Sequence, residues 1–195
     1  MPKSFLTYTN NFENILNTLE KHNFNFPIVL KPIYGGYGNG VIKINNINEL
    51  SNIFEVLNSY NINKDNRNNT NNEIFIQQYI NFKHDIRAFV INNKVACAME
   101  RIPQNNNWKG NYSQGAKIKK FNLSDKCEKL ILKCSKKLNC NIVGVDILID
   151  ENNNNYILEM NITPQFKGIM NFINIPNEIL KYINNINNKL IQSMK

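Results

Sequence analysis

Apolar positions along this chain recur with two different periods, and the change of period marks the elements. Phe12, Ile15 and Leu19 fall at helical intervals in 12–22 (FENILNTLEKH), with Asn10 or Asn11 placed to cap the N-terminus. The run 47–57 (INELSNIFEVL) predicts a second helix, and 123–138 a third, capped by Ser124 with Leu130, Ile131, Cys134 and Leu138 on its buried face. A closing amphipathic helix is expected over 179–194. Shorter runs rich in β-branched residues predict strands over 28–31, 41–44, 73–80, 85–91 and 94–101, the last two joined through Asn92-Asn93. The run 73–80 reads as a strand linking two lobes. The fold class these elements give is α+β.

The segment 142–162 (IVGVDILIDENNNNYILEMNI) organises the rest, because it reads as an antiparallel hairpin around the polar insert 151–154. If Asp150 faces Asn155, the numbers of cross-strand partners sum to about 305, and Asp146 stands opposite Glu159. Directly opposed Cβ atoms lie roughly 4.5–5.5 Å apart, where two carboxylates repel unless a cation sits with them. Asn161 offers a third oxygen on the same face, and its partner Gly144 has no side chain to obstruct the site. Val143, Val145, Ile147 and Ile149, with Tyr156, Leu158, Met160 and Ile162, are expected on the other, buried face. The oxygen-only set Asp146, Glu159 and Asn161 suits Mg²⁺ or Mn²⁺ better than zinc. An exposed hairpin with ordinary polar decoration is the competing reading.

Composition changes this picture in three places. The 195 residues suffice for one larger domain or two small lobes, and 42% hydrophobic content marks a globular chain. There are 41 asparagines, dispersed among periodic apolar positions, which reads as a genomic bias toward A and T rather than a prion-like segment. They pool only in 61–72, 105–107 and 152–155, the expected loops. The net charge of +8 favours an anionic partner without naming it. Nucleic acid is disfavoured, since lysines do not alternate with aromatics along a predicted sheet face. Cys97, Cys127, Cys134 and Cys140 lack Cys-x-x-Cys spacing and only His22 and His84 accompany them, so reduced thiols in a cytoplasmic protein are expected rather than a zinc site. No apolar run approaches a membrane span, and the N-terminus shows no signal-peptide core.

Two further stretches carry candidate chemistry. Lys31 ends a strand and is followed by Pro32-Ile33-Tyr34-Gly35-Gly36-Tyr37-Gly38-Asn39-Gly40, a flexible turn whose N–H groups can close on phosphates. It is not a Walker loop, because the GK[ST] ending is missing and no helix follows directly; taken alone such a stretch is more often a plain glycine turn than a phosphate site. Asp85 and Arg87 share one strand face, setting an acceptor for hydroxyls beside a donor for anions, with a surface ion pair as the alternative.

The ordered set LKPIYGGYGNGV, FIQQYI, HDIRAFV, WKGNYSQGA, GVDIL and LEMNITPQFKG resembles the ATP-grasp superfamily, and within it the RimK-like ligases that join a carboxylate to an amine at the expense of ATP. The resemblance covers nearly the whole chain. It implies two α+β lobes, roughly 1–80 and 81–195, with ATP between them. It further implies that Lys31 touches the nucleotide phosphates under a flap of Tyr34, Gly35 and Gly36, and that Gln78, Tyr79 and Ile80 give main-chain groups to adenine. Asp85 would accept from the ribose hydroxyls. Lys109, Gly110 and Asn111 would reach the phosphates and the reacting carboxylate, and Arg87, Arg101 and Asn111 would serve the chemical step. Asp146, Glu159 and Asn161 fall on the family's metal triad for two Mg²⁺ ions, the trio the hairpin register selects independently.

The chemistry so implied is phosphorylation of a substrate carboxylate to an acyl phosphate, then attack by an amine such as that of glutamate. The resembling family normally has a further N-terminal domain ahead of the segment matching 1–7. The expectation is therefore a fragment, a short ligase chain that draws on a homo-oligomer or a partner supplying that domain, or a Mg·ATP-binding module without turnover. Ser113-Gln114 replaces the His-Arg pair of ribosomal-protein-modifying members, which looks more like the archaeal branch that adds glutamate to pterin or deazaflavin coenzymes.

Overall fold

The structure is a computed structural model and describes residues 1–8, 12–33, 38–62, 73–104, 108–110 and 115–194. The chain separates into two compact units, Pro2–Ile80 and Asn81–Lys195, the second grouped with Met1. Each has its own sheet and its own core.

In the first unit, β1 (Ser4–Tyr8), β2 (Ile28–Pro32), β3 (Ile42–Ile44) and β4 (Glu73–Gln78) form an antiparallel sheet in the order β1-β4-β2-β3. Helices α1 (Phe12–Lys21) and α2 (Ile47–Ile62) bury Ile15, Leu19, Leu50 and Phe54 against Ile28, Leu30, Ile44, Ile74 and Ile76. These strand residues alternate along their strands, so one face of the sheet is apolar and the other carries Lys31 and Gln77. The run expected to link two lobes is an interior strand here, with β1 and β2 hydrogen-bonded to its two sides.

The second unit contains β5 (Phe82–Ile91), β6 (Lys94–Ile102), β7 (Lys117–Lys120), β8 (Ile142–Asp150) and β9 (Asn155–Asn161), ordered β7-β6-β5-β8-β9. Helix α3 (Asp125–Lys137) covers one face, burying Cys127 and Ile131 on Ile86, Ala88, Val90, Val143, Val145 and Ile147. Ser124 caps it by accepting from Cys127 N at 3.3 Å. Leu138, expected inside, is 60% exposed, because α3 ends at Lys137 and the chain turns away.

The other face of this sheet is divided. Phe89, Ile91, Cys97 and Met99 are buried beneath a 3₁₀ turn (Ile169–Asn171) and the start of α4 (Ile175–Ser193), where Ile169 and Ile175 are the buried anchors. The remaining part carries charged side chains. Helix α4 starts earlier than its apolar period suggested, because Asn174 accepts from Asn177 N at 3.1 Å and Pro176 fits the first turn. β1 and β7 escaped the sequence pattern; in β7 (KIKK) a single apolar residue sits among lysines that blunt an outer strand.

The β8–β9 hairpin needs one correction. Asp150 Oδ1 accepts from Asn152 N at 2.9 Å and Asn154 N at 2.7 Å, and Asn153 takes the left-handed conformation at φ 59°. These bonds tighten the connection, so Ile149 rather than Asp150 faces Asn155. A register shift after Ile147↔Ile157 then absorbs one extra residue, restoring Asp146↔Glu159, Val145↔Met160 and Gly144↔Asn161. The extra residue is Leu158. Ile157, not Tyr156 or Leu158, therefore enters the core, and Tyr156 instead hydrogen-bonds Asp150 at 3.3 Å. Ile162, expected inside, is 69% exposed.

Candidate nucleotide and metal site

The charged part of the second sheet is built by strand register. Arg87, Asp146 and Glu159 form one row across β5, β8 and β9, and Phe89, Gly144 and Asn161 form the next. Alternation puts Asp85 on the same face of β5 as Arg87. The three proposed metal ligands thus share a face, as the hairpin register required.

Two arginines hold this face together. Arg87 Nη1 donates to Asp146 Oδ1 at 3.0 Å and Oδ2 at 2.9 Å. Arg101 donates from Nε to Asp85 Oδ1 at 3.0 Å and makes a second, shorter bond from Nη2, while its Nη1 lies 3.3 Å from Asp146 Oδ1. Asp85 and Arg87 are therefore not a surface pair with each other; each is bonded to a different partner. Burial pushes the Asp85 carboxyl up, with Arg101 opposing and the Asp146 charge adding to the rise. Burial also works against a charged Arg101, but the Asp146 and Asp85 carboxylates outweigh it and keep the guanidinium protonated.

Close packing fixes these groups. A Cβ on Gly144 would lie 2.8 Å from Pro164 Cβ and 3.1 Å from Arg87 Nε, so the missing side chain is the space that the guanidinium and the proline occupy. A Cβ on Gly110 would fall 2.1 Å from Asp85 Oδ2. With its other oxygen on Arg101 and this one under Gly110, Asp85, expected as a ribose acceptor, is buried. It is the counter-ion that aims Arg101. The need for glycine at 110 and 144 was not visible in the spacing alone.

The other expected residues are placed as follows. Lys31 Nζ donates to Gln77 Oε1 at 2.7 Å, and Gln77, which the sequence reading did not single out, is 3% exposed. Gln78 N donates to Lys3 O at 2.8 Å and Tyr79 N to Pro27 O at 3.3 Å, so these two N–H groups are used within the unit rather than offered to a ligand. The Gln78 side chain accepts from Asn25 N at 3.1 Å and donates to Asn25 O at 2.7 Å, pinning the approach to β2. Ile80 follows Tyr79 at the end of this unit. Lys109 Nζ stands 5.8 Å from the Trp108 ring centroid. Tyr34, Gly35, Gly36 and Asn111 lie outside the described residues, as do Ser113 and Gln114.

A second polar cluster was missed. His84 Nδ1 meets Glu100 Oε1 at 2.5 Å, and Lys119 Nζ lies 2.9 Å from Glu100 Oε2 as an ion pair without a well-directed hydrogen bond. Burial works to raise the Glu100 carboxyl, yet Lys119 and His84 outweigh it and hold it below the usual carboxylate range. Its signal in the sequence was a single charged residue at an inward position of a strand.

The family model of the RimK-like ATP-grasp domain matches residues 1–183. The chain belongs to the RimK-like ATP-grasp family. Among curated relatives of this family member, the tetrahydromethanopterin:alpha-L-glutamate ligase of Methanocaldococcus jannaschii is 36% identical over 157 residues, covering 80% of this chain and 52% of the relative. The Glutamate--LysW ligase ArgX of Sulfolobus acidocaldarius is 30% identical, with 82% and 56% covered. The chain spans about half the length of the curated relatives it matches. Among solved structures, the ATP-grasp ligase PsnB complexed with minimal precursor, Mg and ADP superposes with a TM-score of 0.68 at 19% identity, covering 94% of this chain and 52% of PsnB. D-alanine--D-alanine ligase from Bacillus anthracis complexed with ATP gives 0.60 at 19% identity, with 96% and 55% covered. These likenesses establish the ATP-grasp fold.

The donor set can be tested against a divalent cation. Among the described residues no group of three His, Cys, Asp or Glu side chains stands ready to hold a metal alone. Asp146 and Glu159 with the Asn161 amide give two carboxylates and a carbonyl, the set of a Mg²⁺ ion that completes its shell with ligand phosphates and water. With Asp85, Asp146 and Glu159 against Arg87 and Arg101, formal charges leave the face one unit negative before a cation binds. Asn161 Oδ1 accepts from Thr163 N at 2.9 Å and, more weakly, from Thr163 Oγ1 at 3.4 Å, which orients the amide. The residues fit the ion. Among the described residues, no helix is long and apolar enough to cross a membrane.

Proposed function

We propose that this RimK-like ATP-grasp chain serves a Mg·ATP-dependent ligase that joins a carboxylate to an amine through an acyl phosphate, with glutamate as the amine. The observation that carries the reading is the Arg87–Asp146–Glu159 row, with Asn161 beside it, in a chain whose relatives include alpha-L-glutamate ligases. Asp146, Glu159 and Asn161 would hold two Mg²⁺ ions, with Mn²⁺ able to substitute. When bound, these ions would neutralise the phosphates and polarise the transferred phosphoryl group.

The chain's own residues supply positioning. Asp85 orients Arg101, and Arg87 and Arg101 present fixed cationic forks toward developing charge on the phosphoryl group and the carboxylate. Lys31, with Gln77 setting its ammonium, and the glycine turn at Tyr34, Gly35 and Gly36 are the phosphate-binding parts of the first unit. Gln78, Tyr79 and Ile80 would meet adenine through their carbonyls and the Ile80 N–H. Lys109, Gly110 and Asn111 complete the set. The carboxylate substrate belongs to a coenzyme, small molecule or peptide, and the location proposed is cytoplasmic, in keeping with four cysteines that form no disulfide.

Calorimetry with ATP, with and without Mg²⁺, followed by ADP release with glutamate and a panel of carboxylates, tests the reading. Magnesium-dependent ATP binding is expected, weakened tenfold or more by Glu159→Gln or Asp146→Asn. Ligation that survives Glu159→Gln unchanged would sink the metal assignment.

A further inference from the structure

The connection between β2 and β3 holds the one place where this chain sets an asparagine directly before a glycine, Asn39-Gly40. Each of the other asparagines, among 41 in all, is followed by a residue that carries a side chain. Asn58-Ser59, the next smallest such pair, lies inside α2, where helical bonding engages the backbone N–H groups. Asn39 and Gly40 are both exposed, and among the described residues neither makes a hydrogen bond. Val41 N donates to Gly38 O at 3.4 Å, a long bond, across a turn in which Gly38 and Gly40 take φ of 74° and 72°. Glycine is required at 40, because a Cβ there would meet Pro32 Cγ at 3.1 Å on a backbone that side chains rarely adopt. Nothing comparable holds the Asn39 side chain in place.

This arrangement exposes the side-chain amide to attack by the backbone. The Gly40 nitrogen, its proton taken by hydroxide, adds to Asn39 Cγ; the N–Cγ bond closes a succinimide ring, the Cγ–Nδ2 bond breaks and ammonia leaves. Water then opens either ring carbonyl, giving aspartate or isoaspartate, with no oxidant or cofactor consumed. Glycine favours the closure, because no Cβ shields its nitrogen or restricts the rotation that brings it to Cγ. We infer that Asn39 is a site of spontaneous deamidation and that its conversion weakens the hold of the glycine turn on phosphates. The second half rests on the reading of that turn as a phosphate-binding part of the first unit. A carboxylate at position 39 sets a full negative charge among N–H groups that offer phosphates only partial positive charge. Isoaspartate also lengthens the backbone by one carbon and moves those N–H groups. The conversion runs one way, so the turn records the age of the chain.

Peptide mapping by mass spectrometry of the full chain, aged at alkaline and at mildly acidic pH, tests the site. A gain of about 1 Da should appear at Asn39 before any other asparagine, faster at alkaline pH, and Asn39→Gln should remove that early phase. Calorimetry with Mg·ATP on fresh and aged protein tests the consequence. Affinity should fall as Asn39 converts, Asn39→Asp should show a loss of about tenfold without ageing, and aged Asn39→Gln should keep its own fresh value. An Asn39 that stays intact while other asparagines convert would overturn the site. An Asn39→Asp chain that binds like the wild type, or an aged Asn39→Gln chain that loses affinity as the wild type does, would overturn the consequence. A fresh wild type that binds no Mg·ATP would sink the nucleotide reading and the consequence with it, while the peptide map would still decide the modification.

Discussion

Gly144 and Glu100 show what one side chain is asked to do in this fold. Gly144→Ala puts a methyl 2.8 Å from Pro164 and 3.1 Å from Arg87 Nε. Urea denaturation should report a loss of about 1–3 kcal/mol from overpacking, and ATP-dependent turnover should fall with the displaced guanidinium. Glu100 makes a pH prediction. Its carboxyl is held below the ordinary range in the folded state, so its ionised form stabilises the fold above the ordinary carboxylate value, and that contribution is lost as pH falls through the folded value. Glu100→Gln should therefore cost about 1–3 kcal/mol at pH 7, and the gap to wild type should close on acidification below about pH 4. That Asp146, Glu159 and Asn161 share one strand face was legible in the sequence because alternation and register are properties of the chain alone. The burial of Asp85 was not. It depends on Gly110 and Arg101 arriving from elsewhere in the fold, and no local spacing encodes that.

At the level of elements, the β8–β9 hairpin shows a correct pairing reached through an incorrect loop. The sequence reading counted four loop residues and no bulge, whereas the Asp150 carboxylate draws the loop tighter and the displaced residue reappears at Leu158. Both descriptions put Asp146 opposite Glu159, but they disagree on which residues enter the core. Ile157→Ala should cost about 2–4 kcal/mol and Leu158→Ala less than about 1 kcal/mol in thermal or urea unfolding; the reverse order would restore the four-residue loop. Strongly periodic helices and β-branched strands were readable because burial imposes their period. β7 was not, since an outer strand with one inward residue leaves almost no period to read. The start of α4 depended on a cap and a proline rather than on apolar spacing.

At the scale of the whole molecule, two separate cores divide the chemistry of the chain as well as its contacts. All four cysteines lie in the unit Asn81–Lys195, so thiol labelling during urea titration reports that unit alone. Burial pushes the Cys127 thiol up to about 11, with Glu128 adding to it, so Cys127 should alkylate last at pH 8 and only as that unit opens. Quantitative labelling of Cys127 under native conditions would contradict its place beneath the sheet. The asparagines carry a different lesson. Asn23, Asn92, Asn93, Asn139 and Asn153 all adopt the left-handed backbone that glycine most often supplies, in a chain with 41 asparagines and eight glycines. A nucleotide bias that drains glycine codons is absorbed at such turns at little cost, because asparagine is the next best occupant. It cannot be absorbed where a single methyl would strike a carboxylate or a guanidinium. Gly110 and Gly144 are such positions, and in a chain so poor in glycine they mark where the molecule has no room.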